Sequence, residues 1–264
     1  GISAKRLDAL LQSILSHTMQ SSEKERYLRQ MAVAELGEAG QEALKSTTFL
    51  VIGAGGLGCP AAQTLAASGA GKIILADCDI VEVSNLSRQF LHSADRIGMN
   101  KAESARLSLL AVNPYLEVET FTSRVTDQNL PPLLQHADVI LDCSDNSLTR
   151  HAINRACHSE KKPLVTAGCI RAAGQLSVFD FRKSQTPCYA CAFPEDSEKD
   201  IKASSLGVLT ILTSLMGTLE AAEGIKLAAN LGSAINGKVL LIDLLHDDFQ
   251  IMKITPSSSC QVCS

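Results

Sequence analysis

Apolar positions in this chain fall into short unbroken runs that alternate with stretches of helical spacing. Continuous apolar runs of this length, bounded by glycine or acid, predict strands covered on both faces. They occur at Thr48–Ile52, Lys72–Ala76, Asp138–Asp142, Leu164–Ala167, Gln175–Phe181 and 239–244, while Glu117–Thr122 alternates instead. Leu7, Leu10, Leu11, Ile14 and Leu15 recur at helical spacing and predict an amphipathic helix over residues 5–17. Ser21 and Ser22 precede a second helical stretch, Glu23–Glu35. Further helices are predicted over Pro60–Ser68 (closed by Gly69), 101–112 (stopped at Asn113-Pro114), Thr149–Glu160 and 208–229.

Strand and helix alternating in this way predict an α/β fold, Rossmann-like, with a mainly parallel sheet and helices on both faces. The expected organisation is an N-terminal helical extension over residues 1–20 and one domain over 21–264. A polar, charged stretch beginning at Pro194 predicts a loop over 194–207, crossing the surface near the site. Composition narrows the class. The 264 residues are 45% hydrophobic and 20% charged, ordinary for a globular chain. A net charge of −4 argues against nucleic acid as a partner. No apolar run is long enough for a membrane span, and no secretory signal is visible, so a cytoplasmic location is expected. Four of the nine cysteines form two Cys-x-x-Cys pairs, Cys188 with Cys191 and Cys260 with Cys263. Such pairs in a chain expected to stay reduced point to metal binding. The other five read as small buried side chains.

The glycine loop Gly53-Ala54-Gly55-Gly56-Leu57-Gly58 lies between a predicted strand and a predicted helix. Glycines there let the backbone approach phosphate, and the helix start offers free N–H groups. Asp77 stands at the end of the next strand, where a carboxylate accepts from ribose hydroxyls. A nicotinamide-dependent oxidoreductase carries the same signs. Three later motifs separate the two: Ser84-Asn85-Leu86-Ser87-Arg88-Gln89, then Lys101, then Asp145-Asn146 with Thr149-Arg150, each after a strand end. Cations beside a phosphate loop suit attack at the α-phosphate of ATP, where charge must be held as pyrophosphate leaves.

These motifs, with Arg26-Tyr27-Leu28-Arg29-Gln30, Gly174-Gln175 and Cys188-Tyr189-x-Cys191, resemble the MoeB/ThiF branch of the E1-like activating enzymes. The resemblance runs from Glu25 to Cys263. It implies ATP-dependent adenylation of the C-terminal glycine carboxylate of a small ubiquitin-like sulfur carrier ending in Gly-Gly. It implies that Gly53, Gly55 and Gly56 lie against the phosphates and Asp77 holds the ribose. Ser84, Asn85, Leu86, Ser87, Arg88, Gln89 and Lys101 surround the nucleotide, with Asn85, Arg88 and Lys101 on its phosphates. Asp145 would hold Mg²⁺, with Asn146 lining the same pocket. Arg29 resembles an arginine supplied by the second subunit of a homodimer, which with two carriers makes a heterotetramer. Cys188, Cys191, Cys260 and Cys263 would form a structural Cys₄ zinc site. Where many relatives carry a cysteine in the crossover loop, this chain has Ala203. The expectation is therefore a reaction that stops at the acyl-adenylate, without the rhodanese domain that some relatives carry. Cys169-Ile170-Arg171 before Gly174-Gln175 favours a MoaD-like carrier over a ThiS-like one.

Overall fold

The computed structural model describes residue 19 and residues 21–184, 186–195 and 206–264. The expected helix over 5–17 and most of the expected loop over 194–207, Ala203 included, lie outside the described residues. The rest forms one eight-stranded sheet in the order β3-β2-β1-β4-β5-β6-β7-β8. The strands are β1 (Thr48–Ile52), β2 (Lys72–Ala76), β3 (Glu117–Phe121), β4 (Val139–Asp142), β5 (Pro163–Ile170), β6 (Ala173–Asp180), β7 (Lys238–Asp243) and β8 (Asp248–Lys253). The helices are α1 (Ser21–Met31), α2 (Gly37–Lys45), α3 (Gly58–Ser68), α4 (Lys101–Val112), α5 (Leu130–Gln135), α6 (Ser147–Ser159), α7 (Tyr189–Ala192) and α8 (Thr210–Ala228).

The first five strands pair in parallel, as the alternation predicts. The last three pair antiparallel, so the sheet is mixed rather than mainly parallel. The cause is local. Only Arg171 and Ala172 separate β5 from β6, and Arg171 takes a left-handed φ of 55° that folds the chain straight back. A parallel return needs a crossover of a dozen residues or more, and this link has no room for one. β8 is not predicted by the pattern. It is an edge strand exposed along its whole length, so no buried face marks it in the sequence.

The short β1 shows why apolar runs become central strands. Phe49 and Val51 enter the core on one face, with α2, α3, α4 and α8. Leu50 and Ile52 enter the core on the other, with α5, α6 and the cysteine-bearing tail. Each such side chain, fully buried, stabilises the fold by roughly 1.5–3 kcal/mol relative to exposure. The predicted helix Glu23–Glu35 ends earlier, at Met31. After a short turn, Gly37 at φ 58° opens the unpredicted α2. The helix over 149–160 begins two residues early because the Asn146 side chain accepts from the Thr149 N–H and caps α6.

Candidate active site

β1, β2 and β4 end side by side, and the candidate residues gather at those ends. The loop after β1 turns tightly into α3. A side chain on Gly58 would place its β carbon 1.8 Å from the Gly53 carbonyl oxygen, so the turn admits only glycine there. Gly53 itself stands at φ 100°, open only to glycine. Asp77 holds this loop: its Oδ2 accepts the Ala54 N–H at 2.7 Å, and its Oδ1 accepts the Asp79 N–H at 2.8 Å. Burial pushes the Asp77 carboxyl above its ordinary range, opposed by those two amides and by the charge of Lys101.

His92 holds the next peptide of the loop. Its Nε2 lies 2.9 Å from the Ala54 oxygen and its Nδ1 lies 3.0 Å from Ser104 Oγ. A carbonyl only accepts, so Nε2 carries the hydrogen. Burial lowers the imidazole pKa and keeps the ring neutral. His92 escapes detection from sequence alone: it comes shortly after Arg88-Gln89 and has no spacing signal of its own.

Two cations reach the loop through different partners. A β carbon on Gly56 would stand 3.6 Å from Cδ of Arg88, so the arginine stem lies beside Gly56. Its Nη1 donates to the Ser84 carbonyl at 2.9 Å. Lys101 is buried at the start of α4 and reaches Asp79 at 3.1 Å. With Asp79, Ile80 and Glu82 it lines a cleft of about 220 Å³. Asn100 sets this helix start: its side chain accepts from the Ala102 and Glu103 amides and donates to the Asp77 and Asp79 carbonyls. Asn85 is buried and its Oδ1 caps the Glu82 amide, a bond that does not engage its NH₂ group. Gln89 is buried beside Gly55, and its Oε1 has no hydrogen-bond partner among the described residues. Ser84 and Ser87 contribute through backbone carbonyls, to Arg88 and to Thr210, and Leu86 is half-buried between them.

Asp145 is exposed on the turn after β4, with Asn146 donating to it at 3.4 Å. That turn abuts the glycine loop: the Cys143 carbonyl oxygen lies 2.7 Å from where a β carbon on Gly53 would stand. Arg150 braces it by donating to the Ser144 carbonyl at 2.6 Å. Arg29 is not in this crevice. It is exposed on α1, whose neighbouring Gln30 donates to the Ser68 carbonyl at the far end of α3. The length of α3 puts that end about 16 Å from the glycine loop.

The chain matches the model of the ThiF family over residues 27–262. It belongs to the ThiF family. It is 38% identical to the molybdopterin-synthase adenylyltransferase of Salmonella typhimurium, over 93% of this chain and 98% of that protein. It is 39% identical to the adenylyltransferase and sulfurtransferase MOCS3 of Drosophila virilis, over 94% of this chain. It spans little more than half the length of that protein and its insect counterparts. The fold is shared with E. coli MccB, crystallised with ATP, at a TM-score of 0.76 and 22% identity, covering 100% of this chain and 82% of that one.

Away from the crevice, four thiols converge. Cys188 lies 3.5 Å from Cys260, Cys191 lies 3.3 Å from Cys263, and all four sulfurs fall within 4.8 Å of one another. A tetrahedral zinc with bonds of about 2.3 Å sets sulfurs about 3.8 Å apart, so this cage fits the ion. Among the described residues, no helix is long and apolar enough to cross a membrane.

Proposed function

We propose that this chain adenylates the C-terminal glycine carboxylate of a small ubiquitin-like sulfur carrier, using ATP and releasing pyrophosphate. The observation that carries the reading is the pair of cations gathered at one glycine loop, with the Arg88 stem beside Gly56 and buried Lys101 bonded to Asp79, its charge acting on the Asp77 that ties Ala54. An oxidoreductase binding a dinucleotide needs no such pair, whereas departure of pyrophosphate from an α-phosphate does.

In this reading the loop amides and the start of α3 take the phosphates. Asp77 has one lone pair left on each oxygen after its two backbone bonds, enough for ribose hydroxyls. Arg88, Lys101 and the NH₂ group of Asn85 hold the phosphate oxygens. Asp145 and Asn146 face the crevice from β4, and Asp145 would hold Mg²⁺, which offsets charge between the phosphates and the incoming carboxylate. The attacking carboxylate is already ionised at neutral pH, so no general base is needed. The protein aligns the carboxylate with the α-phosphorus and neutralises charge.

The carrier is read as MoaD-like, supported by Ile170-Arg171 before Gly174-Gln175 and by the Salmonella relative matched along almost its whole length. A ThiS-like carrier or a peptide is the alternative a carrier panel decides. Arg29 serves the crevice of a second copy, as an arginine finger in a homodimer. The four thiolates hold a structural zinc, and the expected setting is cytoplasmic. The test is carrier-dependent ATP–pyrophosphate exchange across purified carriers. Arg88→Ala and Asp145→Ala each lower the exchange rate by roughly a hundredfold or more while the folded circular-dichroism spectrum persists. Wild-type exchange in either variant refutes the assignment.

A further inference from the structure

Glu220 has no part in the phosphate crevice, yet it lies directly beneath it. It sits in the middle of α8, fully buried. Its Oε2 accepts from the Cys143 thiol at 3.3 Å, and its Oε1 has no hydrogen-bond partner among the described residues. A leucine would fill similar space without an orphaned oxygen, so packing alone does not explain an acid here. Burial, then the charge of Asp142 on β4, push the carboxyl well up, against the pull of the Cys143 hydrogen bond and of Arg150 on α6. Cys143 on the turn after β4 and Cys169 on β5 face it as thiols that burial keeps protonated.

Cys143 is the joint between the two halves of the crevice. Its N–H donates to the Ile52 carbonyl at 2.9 Å, and its carbonyl abuts Gly53. Its Cβ lies 3.5 Å from where a β carbon on Gly58 would stand. Two residues further on comes Asp145. The remainder of the turn is tied from the sheet side: Asp142 accepts from the Ser144 N–H and Oγ and from Thr166 Oγ1. The hydrogen bond from the Cys143 side chain to Glu220 ties the turn from the α8 side.

We propose that Glu220 is a positioning residue, which by accepting the Cys143 thiol hydrogen sets the turn carrying Asp145 at its working height against the glycine loop. This rests on the reading of Asp145 as the Mg²⁺-bearing residue. The experiment measures how much Mg²⁺ strengthens binding of a fluorescent ATP analogue to the full chain, a ratio that needs no carrier protein. Glu220→Leu and Cys143→Ala each shrink that gain by roughly three- to thirtyfold. The two together do no worse than one, because they break the same bond. Glu220→Gln keeps a carbonyl acceptor and restores most of the gain. A role in packing alone weakens binding equally with and without Mg²⁺, and that result overturns the proposal. Should Glu220→Leu fail to fold, Cys143→Ala carries the test from the other end of the bond with a smaller change. Asp145→Asn is measured alongside. If it loses the Mg²⁺ gain while Glu220→Leu and Cys143→Ala keep it, the inference alone falls. If it keeps the gain, the Asp145 reading falls and the inference with it.

Discussion

Glu220 also couples the crevice to folding stability, through its proton. In the unfolded chain it ionises near its ordinary value of 4.5, and in the folded chain burial and Asp142 hold it protonated well above that. Above pH 4.5, then, the folded state keeps a proton that the unfolded state has lost. Its contribution to stability is complete below that pH. It is lost as pH rises toward the folded pKa, by up to about 1.4 kcal/mol per pH unit. Glu220→Gln cannot titrate. Its stability relative to the parent therefore grows with pH, measured by urea unfolding between about pH 5 and pH 8. A difference that stays constant over that range would mean Glu220 ionises alike in both states. Asp77, Arg88, Lys101 and Asp145 stood out as candidates in the sequence because each falls in a polar segment between a predicted strand and the helix after it, or at that helix's start. Glu220 and His92 were not, because their importance comes from what packs over them. The one trace of Glu220 is a charge in the middle of the apolar run 208–229.

At the scale of elements, the period of the hydrophobic pattern found the strands that are buried and missed the one that is not. β1 and β2 were placed to the residue, since a fully buried run has sharp edges. β8 buries no side chain, and α5 and α7 are too short for a helical period to register. The sequence showed two cysteine pairs, but only the fold brings them together. Cys188 lies at the start of α7, where Asn154 of α6 accepts from the Tyr189 N–H at 3.0 Å, and Cys260 closes in from the tail. Cys260→Ser is expected to lose about one zinc per chain, measured by metal analysis of reduced protein. It also frees the last residues for proteolysis, while the core on the opposite face of the sheet, which includes none of the four cysteines, stays folded. Zinc retained at full occupancy in that variant removes Cys260 from the ligand set.

At the scale of the molecule, the crevice and α1 lie at opposite ends of the parallel strands. Arg29 therefore has no path to the crevice of its own chain. If a second copy supplies it, two inactive variants rescue each other. Arg29→Ala and Arg88→Ala, unfolded and refolded together in equal amounts, form hybrid dimers with one intact composite site. Random pairing makes half the dimers hybrid, each with half its sites intact, so about a quarter of parent exchange activity returns. No recovery in a mixture shown to contain hybrids places Arg29 outside the reaction.

The sequence by itself determined the order of the buried strands and the longer helices, the glycine loop and the chemical types around it, because those depend on local periodicity and on residues a few positions apart. Tertiary structure alone decided that the last three strands pair antiparallel, beginning where a two-residue link at Arg171 reverses the chain into β6. It also decided that Cys143 and Glu220, 77 positions apart, meet under the crevice, and that α1, which carries Arg29, packs at the far end of α3. Contacts across the sheet come from packing both faces at once, and no stretch of sequence encodes such a contact alone.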